Sequence, residues 1–280
     1  MKILLLPAYF YPEIEPGMHL AADRNEAFVN AGYQVIVHAP APTRGISMDI
    51  RKQYLKIKHE TRHEGAMEIH RFWMFREGKN TILRAFRYVL CFIIQFLKGL
   101  TTKNVHVIFV SSTPPIQGFM AAILARIKKI PFVYCLQDIF PDSLISTGIT
   151  NKGSIIWKIG SWIEKFTYRH ADKIIVISED FKKNLLGKGV PEHKIEVIYN
   201  WVDENTVIPV RREDNKIIKK YDLNPHLFYI TYSGNIGHTQ NMEMFTEVAR
   251  DMENYRDLHF IIVGEGACKS RLEEIIKDQG

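Results

Sequence analysis

Three loops in this 280-residue chain hold residue types able to bind phosphate or handle a proton. The first is Tyr9-Phe-Tyr-Pro-Glu-Ile-Glu-Pro-Gly-Met18, between an apolar run and a segment of helical period. Its Gly17 lets the backbone approach a phosphate, and the helix start behind it offers N–H groups, although the three glycines of a dinucleotide fingerprint are absent. The second is Leu136-Gln-Asp-Ile-Phe-Pro-Asp142, at the carboxyl end of an apolar run. At that edge of an open parallel sheet a carboxylate can act as base or orient a hydroxyl, which points to Asp138, whereas Asp142 reads better as a cap or turn residue. The third is Tyr232-Ser-Gly-Asn-Ile-Gly237, followed by Gln240. Ser233, Gly234, Asn235, Gly237 and Gln240 there form a second candidate anion cradle. The strand after it runs into Val263-Gly264 with no acidic residue at its end, so the ribose-binding carboxylate of a nicotinamide site is missing.

Such loops need strands to hold them. Apolar, β-branched runs at 2–6, 34–38, 105–110, 132–136 and 173–177 alternate with segments of helical period. That alternation predicts right-handed crossovers rather than hairpins, and a parallel sheet covered on both faces. Thr113-Pro114-Pro115 predicts a capped helix start, and Ser178-Glu179-Asp180 another. After Asp203 a polar stretch at 204–214 reads as a linker, and the pattern restarts with strands at 229–232 and 259–263 around a helix from about Thr239. The expected organisation is a complete domain over 1–203 and a partial one over 215–280, with too few strands to close a core alone.

Composition narrows the setting. Cys91, Cys135 and Cys268 are widely spaced and form no Cys-x-x-Cys, which fits a reduced compartment and leaves no metal cluster legible in the sequence. The opening Ile3-Leu-Leu-Leu6 is too short for a signal-peptide core. Residues 44–103 hold 13 basic and 5 acidic side chains, an excess that seeks an anionic surface. Within this stretch Arg84, Arg87, Cys91, Gln95 and Lys98 fall at steps of three and four, drawing one polar stripe along a helix otherwise covered by large apolar groups. The apolar run is too short to span a bilayer. The pattern fits a buried domain helix about as well as a helix lying in lipid headgroups. The coincidence of charge and apolar arc favours membrane contact by Arg84, Arg87, Phe92, Phe96 and Lys98 over nucleic acid.

Gln-Asp-Ile-Phe-Pro-Asp at 137–142, Tyr-Arg-His-Ala-Asp-Lys at 168–173, Val-Ile-Ser-Glu at 176–179 and Val-Ile-Tyr-Asn-Trp-Val-Asp at 197–203 occur in this order. They are followed by Tyr-Ser-Gly-Asn-Ile-Gly at 232–237 and Val-Gly-Glu-Gly at 263–266. The ordered set covers almost the whole chain and resembles the family 4 glycosyltransferases, in particular the branch that builds bacterial O-antigen, capsule and colanic-acid chains. The resemblance implies an α/β fold of GT-B type, with a complete N-terminal Rossmann-like domain for the acceptor and an incomplete second one for the nucleotide sugar. It implies retaining transfer from a nucleotide diphosphate, a UDP-linked hexosamine or deoxyhexosamine, to a polyprenyl-linked saccharide on the cytoplasmic face of the inner membrane. No cofactor and no metal are implied.

By the same resemblance Gly17 faces the donor diphosphate, Asp138 stands near the reaction centre, and Asn200 lies at the domain junction. Ser233, Gly234, Asn235 and Gly237 meet the donor phosphates. The family often has Arg and Lys just beyond that turn, where this chain has His238 and Gln240. The family's paired glutamates, separated by seven residues and gripping sugar and ribose, would fall past Gly280, so the resemblance leads one to expect a C-terminally truncated chain with weakened transfer. Two other classes stay open: a non-catalytic glycosyltransferase-like binding protein, and an unrelated Rossmann-type oxidoreductase.

Overall fold

Ile3, Leu4 and Leu5 are buried on both sides of the sheet, as only a central parallel strand covered on both faces allows. In the computed structural model they belong to strand β1 (Lys2–Leu5), followed by α1 (Met18–Asn30), β2 (Gln34–Pro40), α2 (Met48–Lys56), β3 (His59–Arg62), β4 (Met67–Phe72) and α3 (Thr81–Thr101). The chain continues through β5 (Val107–Ser111), α4 (Ile116–Lys128), β6 (Phe132–Leu136), α5 (Asp142–Ser146), α6 (Ile155–His170), β7 (Lys173–Val176), α7 (Glu179–Gly187) and β8 (Ile195–Val197). A further set, α8 (Lys216–Lys220), β9 (Phe228–Ser233), α9 (Met242–Asp251), β10 (Leu258–Val263) and α10 (Lys269–Gln279), completes the order. The structure describes every residue except 15, 16, 77, 79, 147–150, 238, 239 and 280. Two compact units divide the chain, one built on 1–145 and 150–201, the other on 202–280.

In the first unit eight strands pair in the order β3-β4-β2-β1-β5-β6-β7-β8. All pairs are parallel except β3 with β4. Odd and even side chains of β1 feed two separate cores: Leu4 joins Ile108, Leu124 and Phe132 on one face, while Ile3 and Leu5 join Val35, Val37 and Ile69 on the other. Helix α4 lies between α3 and α6 and packs against both.

The second unit pairs β9 with β10 in parallel, Phe228 opposite Leu258 through Ser233 opposite Val263. Its small core joins Ile236, Met242 and Leu272 to Tyr232, Phe245 and Ile262.

Three expectations need correction. The chain does contain a hairpin: β3 and β4 pair antiparallel, His59 opposite His70 and Arg62 opposite Met67. β3 is polar throughout, since an edge strand has to bury only part of its surface, and β4 beside it mixes polar with apolar residues, which conceals the pair. Thr113 does not cap α4; Pro115 occupies the cap position with no side-chain bond, and the Gln117 N–H donates to Pro114 O at 3.0 Å. Ser178, by contrast, caps α7 by accepting from the Phe181 N–H at 3.2 Å.

The third correction concerns α3, whose polar stripe turns inward at Arg87, Cys91 and Gln95 while Arg84 stays exposed. Arg87, Cys91 and Gln95 are wholly buried, while Leu83, Phe86, Val89, Ile93 and Leu97 are exposed. Gln95 Nε2 donates to Pro7 O and His38 O, both at 2.8 Å, and its Oε1 accepts from Gln117 Nε2 at 3.0 Å. Arg87 lies over the Tyr9 ring and donates to the Thr43 hydroxyl at 3.2 Å. Arg87 therefore cannot touch a membrane, and Phe92 and Phe96 pack against the core. The polar residues sit inside because strand-end carbonyls and loop hydroxyls need hydrogen-bond partners there. Among the described residues no helix is long and apolar enough to cross a membrane.

Candidate active site

The ends of β1, β5 and β6 open onto a cleft of about 640 Å³ in the first unit. Gly17, Asp138 and Asn200, from three separate loops, all line it.

The β1 loop is held by a buried carboxylate. Glu13 Oε1 accepts from the Thr43 N–H at 2.7 Å, the Thr43 hydroxyl at 3.1 Å and the Arg44 N–H at 3.0 Å, while Oε2 accepts from the Phe10 N–H at 3.0 Å. Ile14 N–H adds a bond to Arg44 O at 3.2 Å. Gly45 permits this contact, since a Cβ there would stand 2.8 Å from Ile14 Cβ and its own φ is +67°. The loop ends at Gly17, whose φ of 77° suits glycine and which caps α1 through no side chain. No acidic residue occupies the first turn of α1, so its N–H groups and dipole favour an anion. Pro16, paired with Gly17 in the sequence reading, lies outside the described residues.

The β6 loop is set by Ser112, buried just after β5. Its Oγ accepts from the backbone N–H of Gln137 at 2.9 Å and of Asp138 at 3.1 Å. The Asp138 carboxylate is thereby left exposed at the cleft. Gln137 Oε1 accepts from Asn200 Nδ2 at 3.2 Å, joining the β6 loop to the segment after β8. Trp201 ties that segment to α1, its Nε1 donating to Asp23 Oδ2 at 2.8 Å. Asp142 serves structure instead: it pairs with Lys188 at 2.8 Å and accepts from Asn184 Nδ2 at 3.4 Å.

Three arginines also border the cleft. Arg24 lies over the Phe109 ring, Arg44 over Tyr9 and Arg62 over Tyr11, at 4.6, 5.3 and 4.3 Å from the ring centroids. Burial lowers the pKa of Arg24 without discharging a guanidinium at neutral pH. Sequence reasoning missed these arginines, along with Ser112 and Gln137. Gln137 had a signal, being adjacent to Asp138; the arginines come from separated segments and had none.

In the second unit the turn after β9 is closed on itself. Gln240 Oε1 accepts from the Gly237 N–H at 3.2 Å and Asn235 Nδ2 at 3.3 Å. The Gly234 N–H donates to Val263 O at 3.0 Å, and the Ile236 N–H to Glu265 O at 2.9 Å. In the cradle read from the sequence the N–H groups of Gly234, Ile236 and Gly237 are therefore already engaged. Its glycine neighbours serve packing: a Cβ on Gly264 would overlap Gly234 O, and one on Gly266 would overlap Ile236 O. Ser233 ends β9. Helix α9 starts at Met242, after Asn241 at φ 46°, rather than near Thr239. Thr239 and His238 lie outside the described residues.

Solved structures share this α/β fold. Anabaena HepE, crystallised with UDP, superimposes with a TM-score of 0.64 at 15% identity, over 100% of this chain and 65% of HepE. Sucrose-phosphate synthase of Thermosynechococcus elongatus gives 0.70 at 11% identity, over 99% and 67% of the two chains. Both are GT-B proteins, and the fold is of that type. WbjE of Pseudomonas aeruginosa, named as a glycosyltransferase, is 27% identical over 207 residues, 73% of this chain and 51% of its own length. WcaI of Escherichia coli (strain K12), named as a colanic acid biosynthesis glycosyl transferase, is 24% identical over 100% of this chain and 70% of its own. The chain thus spans about half the length of one curated relative and 70% of the other. The model of the Glycosyl transferase 4-like domain matches residues 22–201, more than half of the chain, and the chain belongs to that family.

Proposed function

We propose that this chain belongs to a retaining glycosyltransferase moving a sugar from a nucleotide diphosphate, a UDP-linked hexosamine or deoxyhexosamine, to a polyprenyl-linked saccharide in cell-surface polysaccharide synthesis. The observation that carries the reading is the convergence of Gly17, Asp138 and Asn200 on one cleft with a helix N-terminus and three arginines beside it. Fixed N–H donors and guanidinium groups stabilise charge that develops on a departing diphosphate, the main demand of this chemistry. Asp138 would orient the acceptor hydroxyl, with Asn200 and Gln137 holding the loop beside it. Residues 1–203 would serve the acceptor, and 215–280, through Ser233, Asn235 and Gln240, the nucleotide sugar. HepE bound to UDP-glucose, and the colanic-acid name of WcaI, support a UDP-linked donor and a polysaccharide product.

The same reading places the chain peripherally on the cytoplasmic face of the membrane. On α3 the exposed Leu83, Phe86, Val89, Ile93 and Leu97 lie near the exposed Arg84 and the half-exposed Lys98. On α6 the exposed Ile155, Ile156, Ile159 and Trp162 alternate with the exposed Lys158 and Lys165. Apolar side chains flanked by cations suit an anionic lipid surface.

The test is to supply UDP-hexosamines and a polyprenyl-diphosphate saccharide, and to read UDP release and the anomeric configuration of the product by NMR. UDP should raise the melting temperature, because it binds only the folded chain. Stabilisation by NAD but not by UDP overturns the proposal.

A further inference from the structure

The edge hairpin β3–β4 gathers a separate set of ligands. His59 and His70 are direct partners across the antiparallel pair, and Glu68 precedes His70 by two residues. The pleat therefore puts all three side chains on one face. One ligand atom from each lies within 4.8 Å of the others, and His70 Nε2 stands 3.6 Å from Glu68 Oε2. With metal bonds of about 2.1 Å in a tetrahedral site, ligand atoms stand about 3.4 Å apart. The His70–Glu68 pair is thus already at that spacing, and His59, exposed on the edge strand, can close the rest by rotating its ring.

The surroundings prepare these imidazoles as ligands. His38, the parallel-strand partner of His70, lies beside it with ring centroids 5.3 Å apart and planes tilted by 41°. The Nε2 of His38 is fixed by the Thr102 hydroxyl at 2.8 Å, so that ring is itself held. Lys98 adds positive potential to the same face, which opposes a cation and limits the affinity. Two nitrogens and one carboxylate suit zinc and cobalt(II); magnesium and calcium prefer an all-oxygen set.

We propose that His59, Glu68 and His70 bind one zinc-class divalent ion, with a remaining position open to solvent, and that the ion pins the edge strand β3 to β4. The strand is only four residues long, and Arg62 and His63, which follow the ligand His59 on this hairpin, line the cleft. Metal occupancy would therefore order one wall of the candidate active site. This inference is independent of the transfer reaction proposed above.

The experiment uses the 280-residue chain freed of any histidine tag. Cobalt(II) is titrated while its visible d–d bands are followed, and zinc affinity is measured by competition with a chromophoric chelator. One equivalent should bind with the intense bands of a four-coordinate site. His59→Gln, His70→Gln and Glu68→Gln should each weaken binding at least about 10-fold. His59→Gln is the safeguard against misfolding, since its side chain is exposed, and its metal-free melting temperature should match wild type. In hydrogen exchange, zinc should slow the β3 amides of wild type and leave those of His59→Gln unchanged. The proposal is overturned if no saturable binding is seen up to millimolar metal, or if His59→Gln and His70→Gln bind as wild type does, which would place the ion on others of the chain's 11 histidines.

Discussion

One buried hydroxyl, that of Ser112, accepts hydrogen bonds from the backbone N–H of Gln137 at 2.9 Å and of Asp138 at 3.1 Å. The residue after β5 thus fixes the loop after β6, and the exposed carboxylate of Asp138 inherits its position from a buried group. Ser112→Ala should cost about 1–2 kcal/mol of stability, because two amide donors lose their acceptor. It should also slow transfer about 10-fold or more through misplacement. Asp138→Asn, at an exposed position, should leave urea unfolding unchanged while reducing turnover about 100-fold or more. If Asp138→Asn turns over like wild type, the carboxylate has no part in the chemistry.

Glu13 is the second anchor. It is 3% exposed and receives four hydrogen bonds from Phe10, Thr43 and Arg44. Arg87 extends the chain of contacts by donating to the Thr43 hydroxyl at 3.2 Å. Glu13→Gln turns one acceptor into an NH₂ group and sets donor against donor at either Phe10 or Thr43. A loss of about 2–4 kcal/mol in urea unfolding is expected, from a buried donor left unsatisfied and a charge-assisted bond removed. A change within experimental error would show that the β1 loop is held by other means.

How much of this was legible depended on what each element had to hide. β1, β2, β5, β6 and β7 are apolar on both faces, so their sequences betray them. β3 is polar throughout and β4 mixes polar with apolar, as His59-Glu-Thr-Arg62 and Met67-Glu-Ile-His-Arg-Phe72 show, so both could be read as loop. On α3 the period of the polar stripe was visible, but periodicity says only that two faces differ, not which one meets water. The carbonyls of Pro7 and His38 decide that, and they lie 88 and 57 residues from Gln95. Gly17, Asp138 and Asn200 stand in recognisable strings. Ser112 does not, because its role exists only through bonds to residues 25 and 26 positions away.

The inverted polarity of α3 would make the proposed membrane attachment separable from folding. Phe86 and Ile93 are 58% and 45% exposed, so Phe86→Glu with Ile93→Glu should leave the melting temperature within a degree or two of wild type, as exposed changes usually do. The pair should abolish co-sedimentation with vesicles containing anionic lipid. Arg87→Ala should do the reverse, destabilising the fold while sparing vesicle binding of the folded fraction, because Arg87 is fully buried. Unchanged sedimentation of the double variant would remove α3 from the membrane surface.

Glu164 gives the chain a dependence on pH that a surface carboxylate would not. It is 7% exposed, accepts from the Tyr168 hydroxyl at 3.0 Å, and pairs with Lys188 at 2.7 Å. Burial raises its pKa above the ordinary 4.5, and the Lys188 ammonium only partly offsets this. Just above the ordinary value the folded chain still holds a proton that the unfolded chain has released. The stabilisation is therefore complete below pH 4.5 and is lost as pH climbs through the raised value. Glu164→Gln keeps an oxygen for Tyr168 but cannot titrate, so this component of the decline should vanish from its profile. Urea midpoints of the two proteins, followed from about pH 4 to about pH 8, should converge or cross as wild type loses this component. Parallel profiles over that range would mean that Glu164 ionises in the folded chain as easily as in the unfolded one, with Lys188 fully balancing its burial.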